Sequence, residues 1–189
     1  MKYFFCFFSL LAALLADLLT GNSGFPVSFT AGVLLYFAGS SGIKTALILA
    51  VFAGMGLDMS YARPETFSAI ILPLAISAGN YFMPSKEYRF VLLRSLPAGA
   101  VTSCVYVIGT VAAVSVLYGK SGYPAGIAAM ISGSLLFGAI TYPLIVLLLD
   151  AIAVKLNLPG YLTKLPADLE KLEHPELPIE TATGRRRRK

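Results

Sequence analysis

The stretch that decides the fold runs from Tyr123 to Leu156, YPAGIAAMISGSLLFGAITYPLIVLLLDAIAVKL, and its only formal charges are Asp150 and Lys155, both near its end. A run of about 18 or more apolar residues with few charges reads as a membrane-crossing helix. Five more apolar runs precede it: Tyr3–Leu19, Phe25 to about Gly39, Ile43–Met59, Phe67–Met83 and Phe90–Tyr118. Between them lie breakers, Gly21-Asn22-Ser23-Gly24, Gly39-Ser40-Ser41-Gly42, Arg63-Pro64-Glu65, Pro84-Ser85-Lys86-Glu87 and Gly119-Lys120-Ser121-Gly122. Turn chemistry of this kind ends helices. A segment inside lipid must satisfy its own backbone, so each run is expected to be a helix.

Composition agrees. Of 189 residues, 57% are apolar and 13% charged, and the mean hydropathy is +0.75. Soluble domains carry about 25% charged residues, so too little charge remains to cover a water-exposed surface. The expected architecture is an all-α integral membrane protein: a six-helix transmembrane bundle over residues 1–156, with both termini cytoplasmic. Residues 157–189 then form a charged cytoplasmic tail.

The orientation comes from the cations. Threading the six runs with the N-terminus inside places Lys2, Lys44, Lys86, Arg89, Arg94, Lys155, Lys164, Lys171, Arg185, Arg186, Arg187, Arg188 and Lys189 on one side. Only Arg63 and Lys120 fall on the other. Positive residues resist translocation, so the rich side is the cytoplasm. Lys2 followed by an apolar core and small residues near Ser23 also fits a cleaved signal peptide. Asp17 inside the run and the run's length argue against it, and cleavage would leave the other five spans in the same direction.

The runs differ in length. The second is short for a full span, and the last two exceed what a bilayer needs. Proline removes a backbone donor and crowds the preceding turn, so a kink is expected at Pro143, with Pro73 a second candidate. The end of the last run, toward Lys155, is expected along the cytoplasmic interface. In the tail, Pro166 to His174 reads as a short amphipathic helix, at about 165–174, with Leu165, Leu169 and Leu172 on one face. The terminal Arg185-Arg186-Arg187-Arg188-Lys189 run suits anionic lipid or a topology anchor better than nucleic acid.

Three acids, Asp17, Asp58 and Asp150, lie within or at the ends of apolar runs. A carboxylate deep in a span costs about 2.5–3.5 kcal/mol on insertion scales and normally faces protein or water. In the six-run threading Asp17 and Asp58 approach the outer face, where they are expected to meet each other or Arg63. Asp150 approaches the inner face, with Lys44, Arg94 or Lys155 as expected partners. Asp58 ends a stripe of small residues, Ala46, Ala50 and Gly54, that recurs every fourth position. Small residues let helices approach closely where lipid supplies no hydrophobic drive. Similar spacing occurs at Ala125, Ala129 and Gly133, at Ser134 and Gly138, at Ala75 and Gly79, and at Gly109 and Ala113.

Chemistry is sparse. The single histidine, His174, lies in the tail, and no HExxH, GxSxG or phosphate-cradling glycine loop occurs. Cys6 and Cys104 are far apart, with no metal-ligand spacing. Serines such as Ser77, Ser103, Ser115 and Ser132 are expected to bond carbonyls of the preceding turn. No cofactor, metal or catalytic residue is expected.

The order of motifs nonetheless resembles a family. Phe25-Pro26 opens a span that continues through Leu34-Leu35-Tyr36-Phe37-Ala38-Gly39. The third span ends in Gly54-Met55-Gly56-Leu57-Asp58, and the last in Tyr142-Pro143 through Asp150. This layout, over roughly residues 1–156, is similar to the rod shape-determining protein MreD family. The resemblance implies a non-enzymatic adaptor of the bacterial inner membrane within the cell-elongation, peptidoglycan-synthesising complex. Its partners would be an MreC-like scaffold, an MreB-like filament and peptidoglycan synthases. Asp58 matches the family's acid at the end of the third span. Two departures stand out: Ser60-Tyr61-Ala62-Arg63-Pro64 replaces the glycines usual after that acid, and the charged tail is longer. The alternative is the substrate-binding subunit of an energy-coupling-factor vitamin transporter, which needs polar and aromatic groups such as Asn80, Tyr81, Tyr106 and Asp58 to converge on a pocket.

Overall fold

A computed structural model describes residues 2–21, 28–61, 66–83, 91–119, 124–158 and 160–162. These residues form six helices: α1 (Lys2–Gly21), α2 (Phe29–Ser41), α3 (Ile43–Ser60), α4 (Ser68–Tyr81), α5 (Val91–Tyr118) and α6 (Pro124–Lys155). Among the described residues there are no strands. Arg63, Lys86, Arg89, Lys120, Lys164, Lys171, the expected helix at 165–174 and the Arg185–Lys189 run lie outside the described residues, as do the side chains of Lys2 and Arg94.

Four helices, α1, α3, α5 and α6, are long and apolar enough to cross a membrane. At about 1.5 Å per residue, α1 reaches about 30 Å and α3 about 27 Å, against a hydrocarbon core of about 30 Å. The other two are shorter than their apolar runs suggest. α2 has 13 residues and α4 has 14, lengths of only about 20 Å. The apolar run overstates α4 because Phe67, Phe82 and Met83 are apolar without belonging to the helix, and α2 starts only after its N-cap Ser28, inside the run.

α2 is the centre of the bundle. It packs against every other helix, and Leu34, Leu35, Tyr36 and Phe37 are all essentially inaccessible. A helix that is apolar on every side suits such a central place. The long pairs α5–α6 and α3–α4 flank it, α4 also packs on α5, and α1 lies on α2 and α3. Outside, Phe4, Phe7, Phe52, Ile70, Leu136 and Leu148 are exposed, as lipid-facing side chains would be.

Glycine sets the close crossings. A Cβ on Gly54 would collide with the Ser68 and Ala69 backbone of α4, and one on Gly99 with the Gly138 carbonyl of α6. A Cβ on Gly79 would collide with the Thr102 hydroxyl of α5. Ser134 and Gly138 are buried, but Ala125 and Ala129 are exposed, so that upper stripe of α6 faces outward and is no seam. Gly42, at φ 99° and ψ 149°, makes the sharp corner between α2 and α3; a side chain there would be strained.

α6 runs without interruption through Pro143. It ends in a Schellman turn. Asn157 takes a left-handed φ of 52°, the Leu158 amide donates to the Ala153 carbonyl at 2.9 Å, and the Asn157 amide donates to that of Val154 at 3.1 Å. This turn satisfies the last carbonyls of the helix and sends the chain back under the bundle, where Tyr161 and Leu162 pack against the core.

Candidate functional site: three buried acids at helix ends

Asp17, Asp58 and Asp150 are all buried, with Asp58 only 1% exposed. Each stands near the end of a long helix, and each binds the chain where it returns. Asp17 and Asp150 meet hydroxyls and backbone amides, and two of the expected cations, Arg63 and the side chain of Arg94, lie outside the described residues. The described cations of the expected set, Lys44 and Lys155, are exposed, and the acids accept hydrogen bonds from backbone amides and hydroxyls.

Asp17 caps α2. Its Oδ1 accepts from the Phe29 amide at 2.6 Å, and its Oδ2 accepts from the Thr30 amide at 3.0 Å and the Ser28 hydroxyl at 3.3 Å. Ser28 is the N-cap residue; its Oγ accepts from the Ala31 amide at 3.2 Å, and its carbonyl accepts from the Gly32 amide. The first turn of α2 therefore leaves no amide unpaired. The carboxylate also meets the positive end of the helix dipole, which favours an anion by about 0.3–1 kcal/mol, and more when partly buried. The Tyr61 hydroxyl donates to the Asp17 carbonyl at 2.9 Å and ties α3 to α1.

Asp58 does the same for α4. Its Oδ2 accepts from the Ser68 amide at 2.8 Å and its Oδ1 from the Ser68 hydroxyl at 2.7 Å. The Ala46, Ala50 and Gly54 stripe is buried along the same helix. Gly54 admits the α4 backbone one turn before Asp58 captures it. The two sites repeat: Asp17 lies 11 residues before Ser28, and Asp58 lies 10 before Ser68.

Asp150 is the third case. Its Oδ1 accepts from the Tyr36 hydroxyl of α2 at 3.3 Å and from the Leu162 amide, 12 residues on, at 3.1 Å. It pins the returning segment to the central helix rather than pairing with Lys44 or Lys155. Tyr161 lies over Gly39, whose missing Cβ makes the room, and partial burial raises the Tyr161 phenol above the ordinary 10.0. Next to it, Tyr142 is 2% exposed and its hydroxyl has no hydrogen-bond partner. An orphan of this kind is uncommon in folded proteins.

Among the other expected residues, Ser77 and Ser132 bond the carbonyls of Pro73 and Ala128 as foreseen. Cys6 and Cys104 are free and partly buried. No group of residues able to hold a metal ion occurs among the described residues. The sequence reading missed Ser28, Ser68, Tyr61 and Leu162 as partners of the acids. The signal was present: an Asp near the end of an apolar run, a proline, then a serine opening the next run, twice. The arrangement positions helices. Both oxygens of Asp17 and of Asp58 accept from groups of the next helix.

The chain matches no family model, no curated protein and no solved structure.

Proposed function

We propose that this protein is a non-enzymatic, multi-pass adaptor of the bacterial inner membrane in the cell-elongation complex, as its resemblance to the MreD family suggests. The six helices cross in alternation with both termini in the cytoplasm, and the short α2 and α4 are completed by polar groups of their neighbours. The observation that carries this reading is Asp58. It closes a buried small-residue seam and holds the start of α4 through two hydrogen bonds, where the resemblance places the acid at the end of the third span. Such a fixed bundle suits a scaffold that presents constant surfaces to partners: an MreC-like scaffold, an MreB-like filament and peptidoglycan synthases. The Arg185–Lys189 run holds the tail on anionic lipid.

The vitamin-transporter reading gains no support from the polar groups it needs. Tyr81 is 85% exposed on the outside of the bundle, and Asp58 is engaged with Ser68. The test is copurification of the tagged full-length chain in gentle detergent, followed by mass spectrometry. Scaffold and synthase subunits are expected in the wild type, with reduced recovery for Asp58→Leu at unchanged membrane insertion. A stoichiometric vitamin without those partners would overturn the proposal.

A further inference from the structure

The side of the bundle carries an open cleft that the adaptor reading does not use. It lies between α1 and α6 over α2 and has a volume of about 540 Å³. Phe4, Phe5 and Phe8 form one wall, Ile152 and Leu156 the other, and the small side of α1 at Ala12 forms the back. The lining is almost wholly apolar.

We propose that this cleft is a binding site for one anionic phospholipid, with an acyl chain between α1 and α6 and the headgroup at the mouth. Volume and charge choose the occupant. The cleft falls within the range of small-molecule sites, about 300–1,000 Å³. A partner helix about 10 Å across would need roughly 2,400 Å³ to cross a core of about 30 Å, so the cleft admits a chain and not a helix body. In the chain, a lysine adjoins each wall. Lys155 is exposed in the last turn of α6, next to Leu156 of the wall. α1 begins at Lys2, two residues before Phe4 of the other wall. The one acid on the adjoining turn of α6, Asp150, is buried and turned inward to Tyr36 and Leu162. Basic groups flanking an apolar gap between helices bind anionic headgroups.

The experiment uses the full-length chain in nanodiscs containing phosphatidylglycerol and phosphatidylcholine, transferred to gentle detergent, with retained lipid measured by native mass spectrometry. The wild type is expected to retain about one phosphatidylglycerol per chain, in preference to phosphatidylcholine. Ala12→Phe fills the cleft and is expected to lower retention about tenfold. Lys155→Gln is expected to cut the preference for phosphatidylglycerol about fivefold while total phospholipid stays constant. Leu136→Phe, on the outer face of α6, is the control for added bulk and leaves retention unchanged. Replacing Arg185 to Arg188 and Lys189 with Gln also leaves it unchanged, which separates this site from the tail. If Ala12→Phe aggregates, Lys155→Gln carries the test alone. Equal retention of the two lipids by the wild type, full retention by folded Ala12→Phe, loss on tail replacement, or a second copy of the chain in place of lipid would each overturn the proposal.

Discussion

Asp58 shows how a carboxylate earns a place in an apolar bundle. Both oxygens accept from the same residue, Ser68, so the acid is buried and engaged at both oxygens. Removing it strands a buried amide and a buried hydroxyl, and a stranded buried polar group costs about 1–3 kcal/mol. The hydroxyl can turn to another acceptor, whereas the amide cannot, so the total for Asp58→Ala is expected near that range and not at twice it. Asp58→Asn keeps one acceptor oxygen and is expected to lose less. Thermal unfolding in detergent should therefore rank wild type above Asp58→Asn and Asp58→Ala last. Ser68→Ala supplies the partner for a double-mutant cycle. Equal unfolding temperatures for all three forms would show that the pair does not hold α4.

At the scale of elements, the two short helices are the instructive ones. The apolar runs and their Gly and Pro breakers made α1, α3, α5 and α6 legible to within a residue or two, because hydropathy and turn chemistry are local. The start of α2 was not, since its apolar run opens at Phe25 and the helix at Phe29, whereas α4 opens at Ser68, one residue into its run, without the run naming the group that caps it. Each start depends on a carboxylate 10 or 11 residues earlier on another helix, and a run of apolar letters does not say which residue that carboxylate will capture. The small-residue stripes were half legible for a related reason. Spacing marks a helix face but not what lies across from it, so Gly54 meets α4 while Ala125 and Ala129 face outward. Two glycines make this testable. Gly54→Val drives a side chain into the Ser68–Ala69 backbone, which cannot swing aside, and overpacking of this kind costs about 1–3 kcal/mol. Gly126→Ala on α6 meets nothing within 4 Å, and alanine in a helix is favoured over glycine by about 1 kcal/mol. Opposite shifts in unfolding temperature are expected. A Gly54→Val protein as stable as the wild type would mean that α3 and α4 are not in close backbone contact.

At the scale of the whole molecule, the short helices and the threading meet. α2 turns directly into α3 at Gly42, with Lys44 exposed just beyond, and the proposed six-crossing threading puts this corner at one membrane face. From there α2 would cover about 20 Å of a core of about 30 Å, and its far end would stop about 10 Å short of the opposite face. That far end is where Asp17 and Ser28 sit, and Asp58 and Ser68 occupy the equivalent place in the second hairpin. The polar caps would make the sunken ends tolerable, since an uncapped helix start in hydrocarbon leaves amides that nothing else can satisfy. If α2 and α4 cross in this way, crossings number six and the termini share a side. Single cysteines placed at Ser23 and Ser85, in a chain with Cys6 and Cys104 replaced by alanine, should then react oppositely with a membrane-impermeant thiol reagent: Ser23 from outside, and Ser85 only after the membrane is opened. A periplasm-active reporter fused after Lys189 should be silent. The excess of Lys and Arg on the Ser85 side sets the sign of both results. Labelling of both sites from outside would mean that an even number of α2, α3 and α4 cross, and the six-crossing threading would fail.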